Sequence, residues 1–306
     1  ILWEQAVLPK RLKSDGIDVL HAPGYVMPLQ AETPTVVTMH DLITLTHPEL
    51  CKATNAAHYR LLLGRTARRA ARIVASSEAT KADIVSRLGV DAQKVEVVPL
   101  GVGDAFFCPV SAERRAEVKA RYKLPDRFIL FVGNLEPKKN LPTLVSSVAL
   151  LKANGRLRHT LVIAGKKGWK HESIFRAVRR ARLEADALFC DYVAQDDLPA
   201  LYQMADLFVF PSLCEGFGIP PLEAMASGTP VVVSDAPALA ESAGDAGLVY
   251  SPNTAQELAK AIHKVLSNTF LRSHLAARGR DRAQRFRWEE TARRMVRIYE
   301  SVGQRP

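Results

Sequence analysis

No apolar run in this 306-residue chain approaches the ~18 residues that a membrane-spanning helix needs, so a helical span is not expected. Cysteine is scarce. Cys51, Cys108, Cys190 and Cys214 form no C-x-x-C pair and stand at no zinc-ligand spacing with a histidine, which argues against a disulfide framework or a structural zinc. They read as reduced, interior-packed thiols of a cytosolic protein. The opening ILWEQAVLPKRLK has no long apolar core and no small-residue cleavage site, so no secretory leader is expected. It also lacks an initiator Met and reads as the inside of a helix, so an N-terminal segment is expected to precede it. Aromatic residues make up 7% of the chain and the basic stretches carry no nucleic-acid recognition motif, so nucleic acid is not expected as a partner. Gly101-Val102-Gly103 lacks a third glycine and opens no helix, so the dinucleotide fingerprint fails.

What is present is a globular composition, 47% hydrophobic and 24% charged, at a length that suits two domains of roughly 150 residues. The balance is basic: 42 Lys+Arg against 32 Asp+Glu gives a net charge of +10. Part of that charge is patterned. Residues 60–74 place Arg65/Arg69 and Arg68/Arg72 at i,i+4 beside Leu61, Leu62 and Leu63, as on a basic helix that lies on anionic lipid; a solvated helix face is the alternative. Arg278, Arg280, Arg282, Arg285 and Arg287 form a second basic set.

Short β-branched runs alternate with helical-period stretches. Strands are expected at 35–40, 73–77, 95–100, 128–133, 160–165, 188–193, 207–211, 230–234 and 248–250. Helices are expected at 55–71, 78–88, 111–122, 142–154, 173–184, 198–204 and 288–302. Most strands are continuous apolar runs, which suits parallel strands covered on both faces, and the repeated strand–helix–strand order predicts a doubly wound α/β architecture. Domains are expected at 1–108, with an incomplete start, and at 109–285, with 286–306 a final helix packing back across to the first.

The segment from Pro211 to Pro230 carries the most chemistry. An apolar strand ends at Pro211, a loop with Gly216 and Gly218 follows, and Pro220 and Pro221 open a helix that is expected to hold Glu223 in its first turn. Glycines let a ligand approach the backbone, and a helix N-terminus offers free N–H groups to a phosphate. Glu215 in the loop and Glu223 in the helix suit hydroxyl pairs such as a ribose diol and a sugar ring. For Glu223 a simple complement to the helix dipole is the equal alternative. His40 ends an apolar strand at the carboxyl edge where such sheets bind ligands, with a structural histidine as the alternative. Asp41 is expected to cap the loop that follows, and Gly165–Trp169 reads as a second anion loop or a surface turn.

Glu215-Gly216-Phe217-Gly218 with Pro220, Glu223-Ala224, Gly228 and Pro230-Val231 resembles the signature of the retaining glycosyltransferases of family 4, which have the GT-B fold. Phe131–Leu141, Leu161–Gly165, Cys190–Val193, Thr38–Leu42 and Ser76–Asp83 resemble further motifs of that family. The resemblance implies an α/β GT-B chain of two facing Rossmann-like domains. Glu223 would bind the donor's ribose, Glu215 the donor sugar, and the amides of Gly216, Phe217 and Gly218 the sugar and diphosphate. Lys139 would neutralise the departing diphosphate. Gly133 and its loop would lie at the donor, backbone around Tyr192 and Val193 would hold the base, and His40 would reach the sugar near the reacting carbon. The family often has Arg where Asn134 stands, and Lys138 is expected to supply that charge.

The implied activity is transfer of a hexose, mannose foremost, from a nucleotide-diphosphate sugar to a glycan or lipid-linked acceptor. The resemblance implies no cofactor and no metal, and there is no Asp-x-Asp pair to clamp a metal-bound diphosphate. The expected setting is the cytoplasm, peripheral at an anionic inner membrane face. A GT-B epimerase, a phosphorylase and a non-catalytic sugar-nucleotide-binding protein are the rival readings.

Overall fold

The computed structural model describes residues 3–251 and 253–303. Contacts divide the chain into two units. The first is Ile1–Gly101 with Glu215–Phe217 and Trp288–Pro306; the second is Val102–Cys214 with Gly218–Arg287.

The first unit holds a parallel sheet of β1 (Leu20–Ala22), β2 (Thr35–Met39), β3 (Arg72–Ala75) and β4 (Val95–Val97), side by side in that order. Every residue of β2 is buried, which is why it reads as an unbroken apolar run. Val37, Met39, Ile73 and Ala75 pack with Leu63 and Ala67 of helix Ala53–Arg69 and Ile84 of helix Glu78–Leu88. Ser77 caps the latter helix by accepting the Thr80 N–H. Val36 and Val74 pack instead with Ile298, Met295 and Tyr299 of helix Trp288–Gly303. Tyr299 Oη also meets His21 Nδ1 at 2.9 Å.

The second unit holds six parallel strands: β5 (Phe128–Val132), β6 (Thr160–Ala164), β7 (Ala187–Asp191), β8 (Leu207–Phe210), β9 (Val231–Ser234) and β10 (Leu248–Tyr250). Their spatial order is β10-β9-β8-β5-β6-β7. Counted within the unit, that is 6-5-4-1-2-3, the order of a Rossmann sheet read from its far edge. The chain therefore reverses its winding direction between β5 and β8.

Several expectations are corrected. By contacts the second unit begins at Val102, where Val102 donates to the Phe286 carbonyl at 3.0 Å and the Phe106 ring packs against Tyr202. Residues Glu215–Phe217 group with the first unit, not the second. The basic helix stops at Arg69: Ala70 is extended, and Arg72 opens β3, where it pairs with Glu96 at 3.6 Å. Arg68 and Arg72 therefore share no helix face. Three arginines of the second basic set are engaged in structure. Arg278 pairs with Asp245, Arg282 donates to the Glu241 and Ser242 carbonyls, and Arg287 pairs with Asp104 at 2.7 Å. No described cysteine is fully buried; Cys108 is exposed and the other three are half-buried.

β1 and the helices Ala255–Ser267 and Thr269–Ala283 were not expected. β1 is only three residues long. Helix Ala255–Ser267 does announce itself: Thr254 caps it by accepting the Glu257 N–H, the Thr-x-x-Glu pattern of a capping box. Among the described residues no helix is long and apolar enough to cross a membrane.

Candidate functional site

In an open doubly wound sheet, ligands bind beyond the carboxyl ends of the strands where the winding reverses. In the second unit that point is set by the loops after β5 and β8. The Phe131 and Phe210 rings, near the ends of those strands, stack at 5.6 Å. The β5 loop runs through Gly133 and Asn134 into the turn Pro137–Lys139 and helix Leu141–Ala153. It is held at several points: Gly133 donates to Ala164 at 2.9 Å, Leu135 to Lys166 at 2.9 Å, and Leu213 of the β8 loop to the Lys138 carbonyl at 2.8 Å. Lys139 Nζ stands 4.6 Å over the Phe210 ring, at the switch point itself.

Beside it opens a cleft of about 330 Å3, within the usual size of a small-molecule site. Gly133, Asn134, Tyr192 and Val193 line it together, as do Lys166 and Gln195. Lys166 Nζ lies 4.6 Å over the exposed Tyr192 ring. Lys166 was expected only within an ambiguous turn and Gln195 not at all. Their positions just past β6 and β7, at strand ends on the ligand edge, are the signal that would have found them. Lys138 and Lys139 are not among the residues lining this cleft.

After β8 the chain reaches helix Ile219–Ala226, with Gly218 at its N-cap. Gly218 has φ +100°, and a Cβ there would come 2.5 Å from Leu239 Cδ2, so only glycine fits. Pro220 and Pro221 have no N–H, which leaves the amides of Gly218 and Ile219 as this terminus's free donors. Glu223 stands in the second turn, not the first, so the helix-dipole alternative loses its basis. Its Oε2 accepts from the fully buried Tyr202 hydroxyl at 2.9 Å. Burial pushes the Glu223 carboxyl up to about 7 against that hydrogen bond, which acts in the opposite direction.

His40 directly follows β2 in the first unit, one residue past the strand's end, with its ring nearly perpendicular to that of Tyr25 and the centroids 6.1 Å apart. Asp41 Oδ1 accepts the Ile43 N–H at 3.1 Å, the capping role foreseen for it. The segment Glu215–Phe217 lies against this strand end. A Cβ on Gly216 would fall 1.7 Å from the His40 carbonyl oxygen, so a side chain is sterically impossible there. The hydroxyls of Ser76, Ser77 and Thr80 converge on the Gly216 carbonyl at 3.0, 2.8 and 3.1 Å. Phe217 is buried and Glu215 half-buried. Among the described residues no group of three or more His, Cys, Asp or Glu side chains gathers as a metal site would.

A Rossmann-order sheet with an anchored loop, a lysine and a glycine-led helix at its switch point defines a doubly wound α/β protein of the Rossmann type. Residues 113–282 match the family model described as "Glycosyl transferases group 1", and residues 1–106 match "Glycosyltransferase Family 4". The chain belongs to the family 4 glycosyltransferases: it is a transferase enzyme with the GT-B fold. It is 31% identical over 282 residues to the O-antigen chain mannosyltransferase B of Escherichia coli, covering 92% of this chain and 74% of that one. It is also 31% identical to the serotype-specific mannosyltransferase WbdA of Escherichia coli over 89% of this chain, but spans only 34% of WbdA. Among solved structures, HepE of Anabaena in complex with UDP and glucose matches at TM-score 0.82 and 23% identity, covering 98% of this chain and 83% of that one. Sucrose-phosphate synthase of Thermosynechococcus elongatus matches equally, at TM-score 0.82, 24% identity and 98% and 79% coverage.

Proposed function

We propose that this chain transfers a mannosyl residue from GDP-mannose to a hydroxyl of a glycan or lipid-linked acceptor of surface polysaccharide, with retention of configuration and without a metal ion. Two relatives named as mannosyltransferases support the sugar. The observation that carries the reading is the switch point of the second unit. There Lys139 stands over Phe210, and helix Ile219–Ala226 follows with a half-buried Glu223 on it, held by the Tyr202 hydroxyl.

Tyr192 and Val193 line the slot for the base, and Glu223 accepts both ribose hydroxyls. Gly133 and Asn134 border the diphosphate, with Lys138 supplying charge near the loop. Lys139 and the Gly218 and Ile219 amides meet the charge that grows as the C1–O bond breaks; fixed cations and dipoles stabilise such a charge without reorganising. Gly216 and Phe217 give further amides, Glu215 accepts from the sugar's hydroxyls, and His40 borders the reacting carbon. The acceptor oxygen bonds C1 on the face the diphosphate leaves, and the departing phosphate oxygen takes the acceptor's proton. The same reading puts the chain in the cytoplasm at an anionic membrane face, held by the exposed arginines of helix Ala53–Arg69.

The test is transfer from GDP-mannose to a mannose-terminated acceptor, with EDTA present and absent, and the anomeric configuration read by NMR. An α product formed equally in EDTA is expected. A β product overturns retention, loss in EDTA overturns metal independence, and transfer from UDP-glucose alone overturns the donor.

A further inference from the structure

An ion cluster around one buried carboxylate in the second unit stands apart from the residues just described. The Asp197 carboxylate is fully buried yet caps no helix, although it occupies the N-cap of helix Leu198–Met204. An aspartate there ordinarily accepts a backbone N–H and stabilises its helix. Here it instead accepts from Arg114 at 2.5 Å, from Arg121 at 2.7 Å and from the Tyr122 hydroxyl at 2.7 Å, all on helix Ala112–Tyr122. Burial would raise its pKa, but the hydrogen bonds from Tyr122 and Arg121 hold it below the usual carboxylate range. The Tyr122 oxygen also accepts the Ala194 N–H at 3.2 Å. Between β7 and that bond lie Tyr192 and Val193, which line the cleft. The loop's other end is fixed as well: Asp191, at φ +50°, accepts the Gly165 N–H at 2.6 Å.

We infer that Tyr122 and Asp197, with Arg114 and Arg121, are positioning residues that hold loop 192–195 against the cleft and thereby set how sharply it discriminates between nucleobases. The helix that carries three of them contributes no residue to the cleft lining, so its effect on the ligand passes through Ala194. This rests on the proposal that the cleft takes a nucleotide base.

Removing Asp197 would empty a buried polar position beneath two partly exposed arginines, and such variants often lose stability. Tyr122→Phe is the sharper test, since it keeps the ring and deletes only the two hydrogen bonds. Hydrogen exchange at the Ala194 amide, calorimetric affinities for GDP and UDP, and kcat with GDP-mannose are read in the intact chain. Exchange at Ala194 should quicken. The dissociation constant of the preferred diphosphate should rise about fivefold to tenfold, the scale of one hydrogen bond. The GDP:UDP ratio should narrow, with kcat changed less than about twofold. Lys152→Met, which breaks the Lys152–Asp186 pair in the same unit, should leave the ratio alone. Unchanged Ala194 exchange overturns the positioning claim whatever the nucleotide does. Faster exchange with an unchanged ratio overturns its link to base choice. A wild-type chain that binds no diphosphate sinks the functional reading instead. If Tyr122→Phe fails to fold, Arg121→Lys carries the same expectation at smaller size.

Discussion

Because burial raises the Glu223 carboxyl to about 7, its charge changes within the working pH range. The sign of the effect follows from linkage. The folded value lies above the ordinary carboxylate value of 4.5, so this group's contribution to stability is full below pH 4.5 and is lost as pH rises through 7. Glu223→Gln should therefore melt higher than the wild type at pH 8, a difference absent at pH 4.5, by calorimetry. A donor diol needs the ionised carboxylate as acceptor, so affinity for GDP-mannose should climb from pH 6 to 8 and then level. Glu223→Gln should flatten that profile; an unchanged slope would remove the ribose role. Lys139→Ala should lower kcat about 100-fold while weakening donor binding far less, because the diphosphate's charge grows in the transition state. Equal losses in both would contradict a leaving-group role. Glu223 and Gly218 were legible because loop glycines, prolines and paired carboxylates stand at telling spacings, whereas Lys139 and Asn134 were reached only through the family resemblance. Lys166, Gln195 and Tyr122 were not. A lysine or glutamine has no signature until the strand order shows which edge it occupies, and Tyr122 acts from a helix remote in sequence from the loop it holds.

Helix Ala53–Arg69 exposes Leu61, Arg65, Arg68 and Arg69 while its Leu63 and Ala67 enter the core. Charged residues near a membrane surface contribute about 1 kcal/mol each, screened by salt. The triple change of Arg65, Arg68 and Arg69 to Glu should abolish binding to phosphatidylserine vesicles in a flotation assay at low salt. Arg72→Glu should not, because Arg72 sits on β3 beside Glu96. Equal loss in both variants would show that net charge, and not this helix face, drives adsorption. The Arg-Arg-Ala-Ala-Arg run at 68–72 reads as helix past Arg69 because its period continues, while no residue there announces that the backbone leaves the helix at Ala70. The buried strands were the easiest elements to read, since cover on both faces leaves nothing polar to interrupt them. β1 is too short to stand out from its surroundings.

At the scale of the molecule, the repeated strand–helix–strand rhythm announced doubly wound sheets, but no pattern in the chain states that β5 pairs with β8. That pairing creates the switch point and so locates the site. Grouping Glu215–Phe217 with the first unit is equally a matter of contact, decided by three hydroxyls on one carbonyl and a glycine pressed onto His40. The net charge of +10 divides by use: arginines 278, 282 and 287 tie the second unit together, while those of helix Ala53–Arg69 face solvent. The central claim is that the switch point of the second unit takes a nucleoside diphosphate. Calorimetric titration of this chain with GDP, UDP, ADP and dTDP, each in Mg2+ and in EDTA, tests it most directly. The account predicts GDP bound about tenfold more tightly than the others, a difference of about 1.4 kcal/mol, and equally in both buffers. Absence of binding by all four at millimolar concentration, or binding that appears only with Mg2+, would contradict it.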